Sequence, residues 1–169
     1  AQPAIYYTNK LVSFTNLWKY YQSGNEPAVD WFFMDYDDSG WQTGKSVFYA
    51  NISTLPAPRG TTLSISNGTQ PVITYYFRTP FVFTNIQEGA SVTMNMIIDD
   101  GAVFYLNGRE VYRYGMPYGE ITETTRATTN VGVPLITGPI ILPSDALIVG
   151  TNILAVEVHQ YLPPPGSKD

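Results

Sequence analysis

The chain predicts an all-β fold, an antiparallel β-sandwich, on three observations. Residues 99–114 read as an acidic turn, a strand, a two-residue Asn107-Gly108 turn and a returning strand. Elsewhere apolar residues alternate over short runs, as at Val92, Met94, Met96 and Ile98, which places them on one strand face. Finally, 14 Gly, 13 Pro and 13 Tyr accompany only 14% charged residues. That balance favours short strands and turns over long helices, which draw on Ala, Leu, Glu and Lys.

The hairpin is the sharpest element. Asn-Gly suits a type I′ turn because both central residues need positive φ. Direct pairing across it sets Leu106 opposite Arg109, Tyr105 opposite Glu110, Phe104 opposite Val111 and Val103 opposite Tyr112. Ala102, Phe104, Leu106 and Val111 then share a core face. Val103, Tyr105, Tyr112 and Tyr114 share the other, an aromatic face that is either buried or meets a ligand.

The remaining elements follow in order. Residues 1–10 read as an extended arm and 11–21 as a first strand region, broken at Gly24-Asn25-Glu26-Pro27. Residues 31–36 form a helical turn or irregular loop, and Asp37-Asp38-Ser39-Gly40 a tight turn into Trp41. The three tryptophans, Trp18, Trp31 and Trp41, belong to the core or its lid. Residues 73–79 and 81–83 are β-rich; Pro80 between them marks an edge or a bulge because it cannot donate to a ladder. Residues 115–131 are Thr-rich without periodicity and read as a long loop. Residues 135–142 and 153–159 close the domain as strands, the last apolar on both sides, as in a strand covered on both faces. The domain spans 11–162, and residues 163–169 form a Pro-rich tail or linker.

Composition narrows the function classes. A length of 169 residues suits one domain with a full core. The net charge of −5, without a Lys/Arg run, would repel a phosphate backbone, so nucleic acid is not an expected partner. No apolar stretch approaches the roughly 20 residues of a membrane helix. With no cysteine there is no disulfide framework, thiol nucleophile or Cys-ligated metal. The start Ala1-Gln2-Pro3-Ala4 lacks an initiator Met, as a mature secreted end would, although a trimmed chain begins the same way. The expected location is extracellular. Asn51-Ile52-Ser53 and Asn67-Gly68-Thr69 match the N-glycosylation pattern, at a frequency near chance for this composition.

Four segments in this order resemble galactose-binding-domain-like jelly rolls attached to secreted bacterial proteins. They are residues 36–44 (YDDSGWQTG), 74–78 (TYYFR), 99–111 and 150–160 (GTNILAVEVHQ). The same plan is similar to the sugar-binding jelly-roll domain of family 2 glycoside hydrolases. The resemblance covers roughly residues 11–162 and implies a β-sandwich that serves as a noncatalytic accessory module. Two departures stand out. Val47-Phe48-Tyr49-Ala50 replaces a Pro-Leu-Gly-Tyr-Gly-like stretch, and a family strand expected after the loop following His159-Gln160 has no counterpart before Asp169.

Two carboxylate pairs, Asp37-Asp38 and Asp99-Asp100, stand in turns. Loop carboxylates suit Ca²⁺, which takes six to eight oxygens, and structural calcium is the one cofactor considered. Asp also caps turns through backbone N–H groups without any metal. A glycosidase needs two carboxylates facing each other across a sugar, but both pairs fall in the motifs that carry the fold resemblance, so no enzyme is expected. His159, the only histidine, ends a core strand with no Ser motif to serve, and reads as structural. Tyr105, Tyr112, Arg113, Tyr114 and Tyr118 form the candidate ligand-binding set. Sugar rings stack on Tyr, and Arg fixes hydroxyls; against this stands the favoured reading that the tyrosines pack under the loop with their hydroxyls bonded. The expected partners are carbohydrate or other domains of a parent protein. The alternative is a structural subunit that self-assembles through sheet edges, with residues 4–8 as a spare strand.

Overall fold

The computed structural model describes residues 8–50, 54–68, 70–84 and 91–161. The expectations for the first seven residues, for both complete glycosylation triplets and for the Pro-rich tail lie outside them. The strands are β1 (Leu17–Tyr21), β2 (Gln42–Lys45), β3 (Ser66–Asn67), β4 (Gln70–Pro71), β5 (Thr74–Phe83), β6 (Val92–Met96), β7 (Gly101–Leu106), β8 (Arg109–Tyr114), β9 (Thr137–Leu142) and β10 (Gly150–His159). No α-helix occurs among the described residues. Six strands form one antiparallel sheet in the order β2-β1-β5-β10-β7-β8, and β6 pairs with β9 in a separate ribbon.

Both faces of the large sheet are covered. On the first, Tyr20, Tyr75, Phe77, Ala102, Phe104 and Val156 are buried with Met96, and Met94 packs against them. The period-two pattern of β6 thus delivers its methionines onto the sheet, as the alternation predicts. On the second, Tyr76 and Ala155 are buried under Trp31 and Trp41, with Phe32, Tyr36 and Tyr105 packed around them. The two central strands, β5 and β10, pair over ten residues without a register shift. Their coverage on both sides explains why neither shows a clean alternation.

Two expectations change, and of the two readings of Pro80, an edge or a bulge, the edge holds. The first strand region contracts to β1, because Ser13 and Asn16 close a turn through Ser13 Oγ and backbone N–H bonds to Asn16 Oδ1. Residues 135 and 136 precede β9 and are exposed. Pro80 causes no bulge: it sits within β5 opposite Ile153, beyond the stretch where β1 pairs with Tyr76, Phe77 and Arg78. β5 has a single neighbour there, so the missing N–H leaves no ladder bond unmade.

The hairpin keeps its turn and changes its register. Asn107 has φ 53° and Gly108 φ 91°, as type I′ requires. Leu106 pairs with Arg109 and Tyr105 with Glu110, but then Phe104 pairs with Tyr112, Val103 with Arg113 and Ala102 with Tyr114. Val111 is the extra residue of a β-bulge. A one-residue shift exchanges the faces of everything beyond it. Tyr112 and Tyr114 therefore pack against the first-face core, while Tyr105 stays on the second face. The bulge also brings Glu110 and Arg113, three apart, to one side, where two bonds of 2.8 Å join them.

Candidate ligand-binding site

The second face carries an unusual row of side chains. Cross-strand pairing aligns Tyr21, Tyr76, Glu157, Val103 and Arg113 across five strands. In the next row Thr74 pairs with His159. Tyr76, Glu157, Thr74 and His159 are all buried. A carboxylate flanked by Val156 and Val158 in a doubly covered strand was the sequence signal for this arrangement, and residue-type reasoning passed over it.

One wall is the aromatic loop of residues 28–41. Trp31 meets Tyr76 and Tyr105 edge-on at 5.0 and 5.6 Å, and Phe32 stacks on Tyr105 at 4.5 Å and 18°. The buried Arg78 pins this loop from below. Its Nη1 donates to the carbonyls of Trp31 and Phe33, its Nε donates to Asp38 Oδ2 at 2.8 Å, and its guanidinium lies 5.2 Å from the Tyr36 ring centre. Asp38 is thereby an ion-pair partner in the fold.

The other wall is the long loop of residues 115–131. Arg113 donates to the carbonyls of Pro117 and Gly119, so the intervening Tyr118 stands fully exposed at the loop tip. Thr74 Oγ1 donates to the Glu123 carbonyl at 2.7 Å, and His159 Nδ1 lies 2.7 Å from the Thr125 carbonyl. A carbonyl only accepts, so that ring nitrogen carries the proton. The histidine thus holds the loop to the sheet. Its Nε2 approaches Glu157 Oε2 at 3.1 Å without hydrogen-bond alignment.

The floor is acidic and hydroxylic. Tyr105 Oη donates to Glu157 Oε1 at 2.6 Å. Burial, then the Glu157 charge and that bond, push the Tyr105 phenol above its ordinary range. The Tyr76 phenol is raised by burial and then by the charges of Glu157, Glu26 and Glu123. Its Oη is buried and has no hydrogen-bond partner among the described residues. Glu26 is itself raised, by burial and then by Glu123, Glu157 and Glu120. A separate depression of about 370 Å³, lined by none of these floor residues, lies among Asn25, Asn67, Gln70 and Arg126.

Of the expected ligand set, Tyr105, Arg113 and Tyr118 therefore border one region, and Tyr112 and Tyr114 point to the opposite side of the sheet. The four aspartates take other partners. Asp37 Oδ1 accepts from Ser39 N, which holds its carboxyl below the usual range. Asp100 accepts from the N–H groups of Val131 and Tyr161 at 2.7 and 2.6 Å. Burial, with a hydrogen bond and charge from Asp100, pushes Asp99 up to about 7. No group of three His, Cys, Asp or Glu is gathered to hold a metal ion among the described residues.

No family model and no curated protein matches this chain. Among solved structures it is similar to a glycosyl hydrolase family 2 member from Bacteroides cellulosilyticus, with a TM-score of 0.56 and 18% identity over 90% of this chain and 18% of that one. It is likewise similar to Bacteroides uniformis beta-glucuronidase 2, with a TM-score of 0.51 and 18% identity over 95% of this chain and 16% of that one. The likeness is one of fold, that of an all-β portion of family 2 glycoside hydrolases, as the sequence resemblance implies. This chain spans less than a fifth of the length of either structure.

Proposed function

We propose that this domain is a noncatalytic accessory module of a larger extracellular, glycoside-hydrolase-like protein, and that it binds carbohydrate on the second face of its large sheet. The observation that carries this reading is Tyr118, a fully exposed ring on a loop that Arg113, itself paired with the exposed Glu110, holds at the edge of the sheet. An exposed ring offers a stacking surface for the C–H face of a sugar, and the solvent-accessible Glu110 and Arg113 offer partners for its hydroxyls. Self-assembly through sheet edges has less support. The edge strand β8 carries Arg109, Glu110 and Arg113, charges of the kind that keep edges from pairing.

Retention on a panel of immobilised polysaccharides tests the proposal. The wild-type domain is expected to bind at least one, and Tyr118→Ala to lose that binding at unchanged melting temperature. Passage through every polysaccharide in the panel would overturn it.

A further inference from the structure

Both ring nitrogens of the fully buried His159 face acceptors. Nδ1 stands 2.7 Å from the Thr125 carbonyl and 3.0 Å from Thr74 Oγ1. The Thr74 hydroxyl gives its proton to the Glu123 carbonyl, so toward the ring its oxygen can only accept. Nδ1 is therefore the donor to this cluster. Through it and Thr74, two carbonyls of the loop of residues 115–131 are tied to the central strands.

Nε2 is the other half of the arrangement. It lies 3.1 Å from Oε2 of the buried Glu157, whose Oε1 already accepts the Tyr105 O–H. With the ring proton on Nδ1, a neutral imidazole turns its Nε2 lone pair on that carboxylate. Two acceptors at this distance repel whatever their alignment, and in a buried site no water stands between them to relieve it. One further proton, on Nε2 or on Oε2, turns the contact into an attraction. That proton belongs to the pair and not to either residue alone.

Other ionisable groups stand on every element packed against the ring. Glu123 and the exposed Arg126 lie within two residues of Thr125 in the loop. Tyr76 is on β5, two residues from Thr74, and Tyr105 on β7 reaches Glu157. Asp99 and Asp100 immediately precede Gly101, the β7 residue that pairs with His159. Asp100 is already held by the N–H groups of Val131 and Tyr161. Glu157 is the carboxylate in contact with the ring.

We propose that Glu157 and His159 share a buried proton that latches the loop of residues 115–131 to the sheet, and that losing it at high pH loosens the loop and the Tyr118 surface it carries. Without the proton the ring is pushed from Glu157, which draws Nδ1 away from the Thr125 carbonyl. The proton belongs to the closed loop, so closure is favoured at low pH and is lost as pH rises through the titration of the pair. The latch stands on the contacts alone; its effect on ligand binding rests on the carbohydrate reading.

A single histidine makes the test direct, because histidine-selective ¹⁵N labelling yields the ring signals of His159 alone. These and the Glu157 carboxyl ¹³C signal are followed from about pH 5 to about pH 10, with amide exchange of Ala127, Thr128 and Val131 corrected for its intrinsic rate. Asp99→Asn serves as the background, since it removes a second carboxyl that titrates at about 7. Loop protection is expected to fall at least about tenfold across the titration of the pair. Glu157→Gln should keep the loop protected over the whole range, because its amide donates to a neutral Nε2 while its carbonyl still accepts from Tyr105. Ring and carboxyl signals unchanged over the range, protection that stays level while they titrate, or an equal fall in Glu157→Gln overturns the latch. Retention on polysaccharide should follow the same curve. Retention that ignores the loosening overturns the link to binding and leaves the latch, whereas no retention at any pH overturns the carbohydrate reading alone.

Discussion

Replacing Arg78 by methionine should collapse the aromatic wall of the site, and the size of the effect follows from its contacts. The Arg78 side chain is 2% exposed and its partner Asp38 27% exposed. Breaking a buried pair from one side destabilises by about 3–5 kcal/mol. The partly exposed Asp38 regains water, which moves the charge contribution to the low end. The carbonyls of Trp31 and Phe33 lose their donor as well, at about 1–3 kcal/mol for each group that stays buried and unsatisfied. Arg78→Met should therefore destabilise by about 4 kcal/mol, a large part of the roughly 5–15 kcal/mol that holds a domain together. Asp38→Asn keeps both carbonyl bonds and an acceptor for Nε, so it should lose about half as much. The double variant should be close to Arg78→Met alone, because the two residues share one interaction. Urea denaturation followed by tryptophan fluorescence measures all three, and near-UV circular dichroism reports the Trp31–Trp41 packing. A loss below about 1 kcal/mol for Arg78→Met, with an unchanged near-UV spectrum, would refute the role assigned to this cation.

Three further outcomes are expected. Asn107 Nδ2 donates to Ala146 O and Asn152 Oδ1, and its Oδ1 accepts from Ile153 N; Asn107→Gly keeps the turn conformation but should destabilise by about 2–3 kcal/mol, and an effect near zero in thermal unfolding would contradict this. The folded Asp99 carboxyl titrates near 7, above its unfolded value, so the folded chain holds the proton more firmly and stability should fall as pH rises from about 4 to 7. Since this group is half-buried, the fall attributable to it is about 1–2 kcal/mol after allowing for solvent screening; Asp99→Asn should flatten that slope, and an equally steep slope in the variant would count against it. Tyr112→Ala removes a ring packed on the first-face core and should destabilise by about 2 kcal/mol while leaving polysaccharide retention intact, whereas loss of retention by stable, folded protein would return this tyrosine to the binding surface.

The fold was legible where sequence pattern and physics agree. The Asn107-Gly108 turn, the alternation of Val92, Met94 and Met96, and the doubly covered β10 each carry a local signal that tertiary structure kept. The bulge at Val111 carries none. Its consequence, two tyrosines transferred to the other face, is tied to their packing on the first-face core, which depends on chain segments far apart. The site was half legible for the same reason. Tyr105, Arg113 and Tyr118 stand near one another in sequence, but Trp31, Tyr76 and Glu157 meet Tyr105 only through sheet pairing and the aromatic loop. Arg78 and Glu157 were readable as charges within apolar strands, which signals a buried partner; the identity of that partner was not.

The most direct test of the second-face site is the map of backbone amide shifts on titration with tetraglucosamine and, separately, cellotetraose. Perturbations should gather in residues 23–33, at Arg113, in residues 117–127 and around Glu157, with β6 and β9 silent. Shifts confined to the β6–β9 ribbon, or none with either sugar at millimolar concentration, would contradict a carbohydrate site on this face.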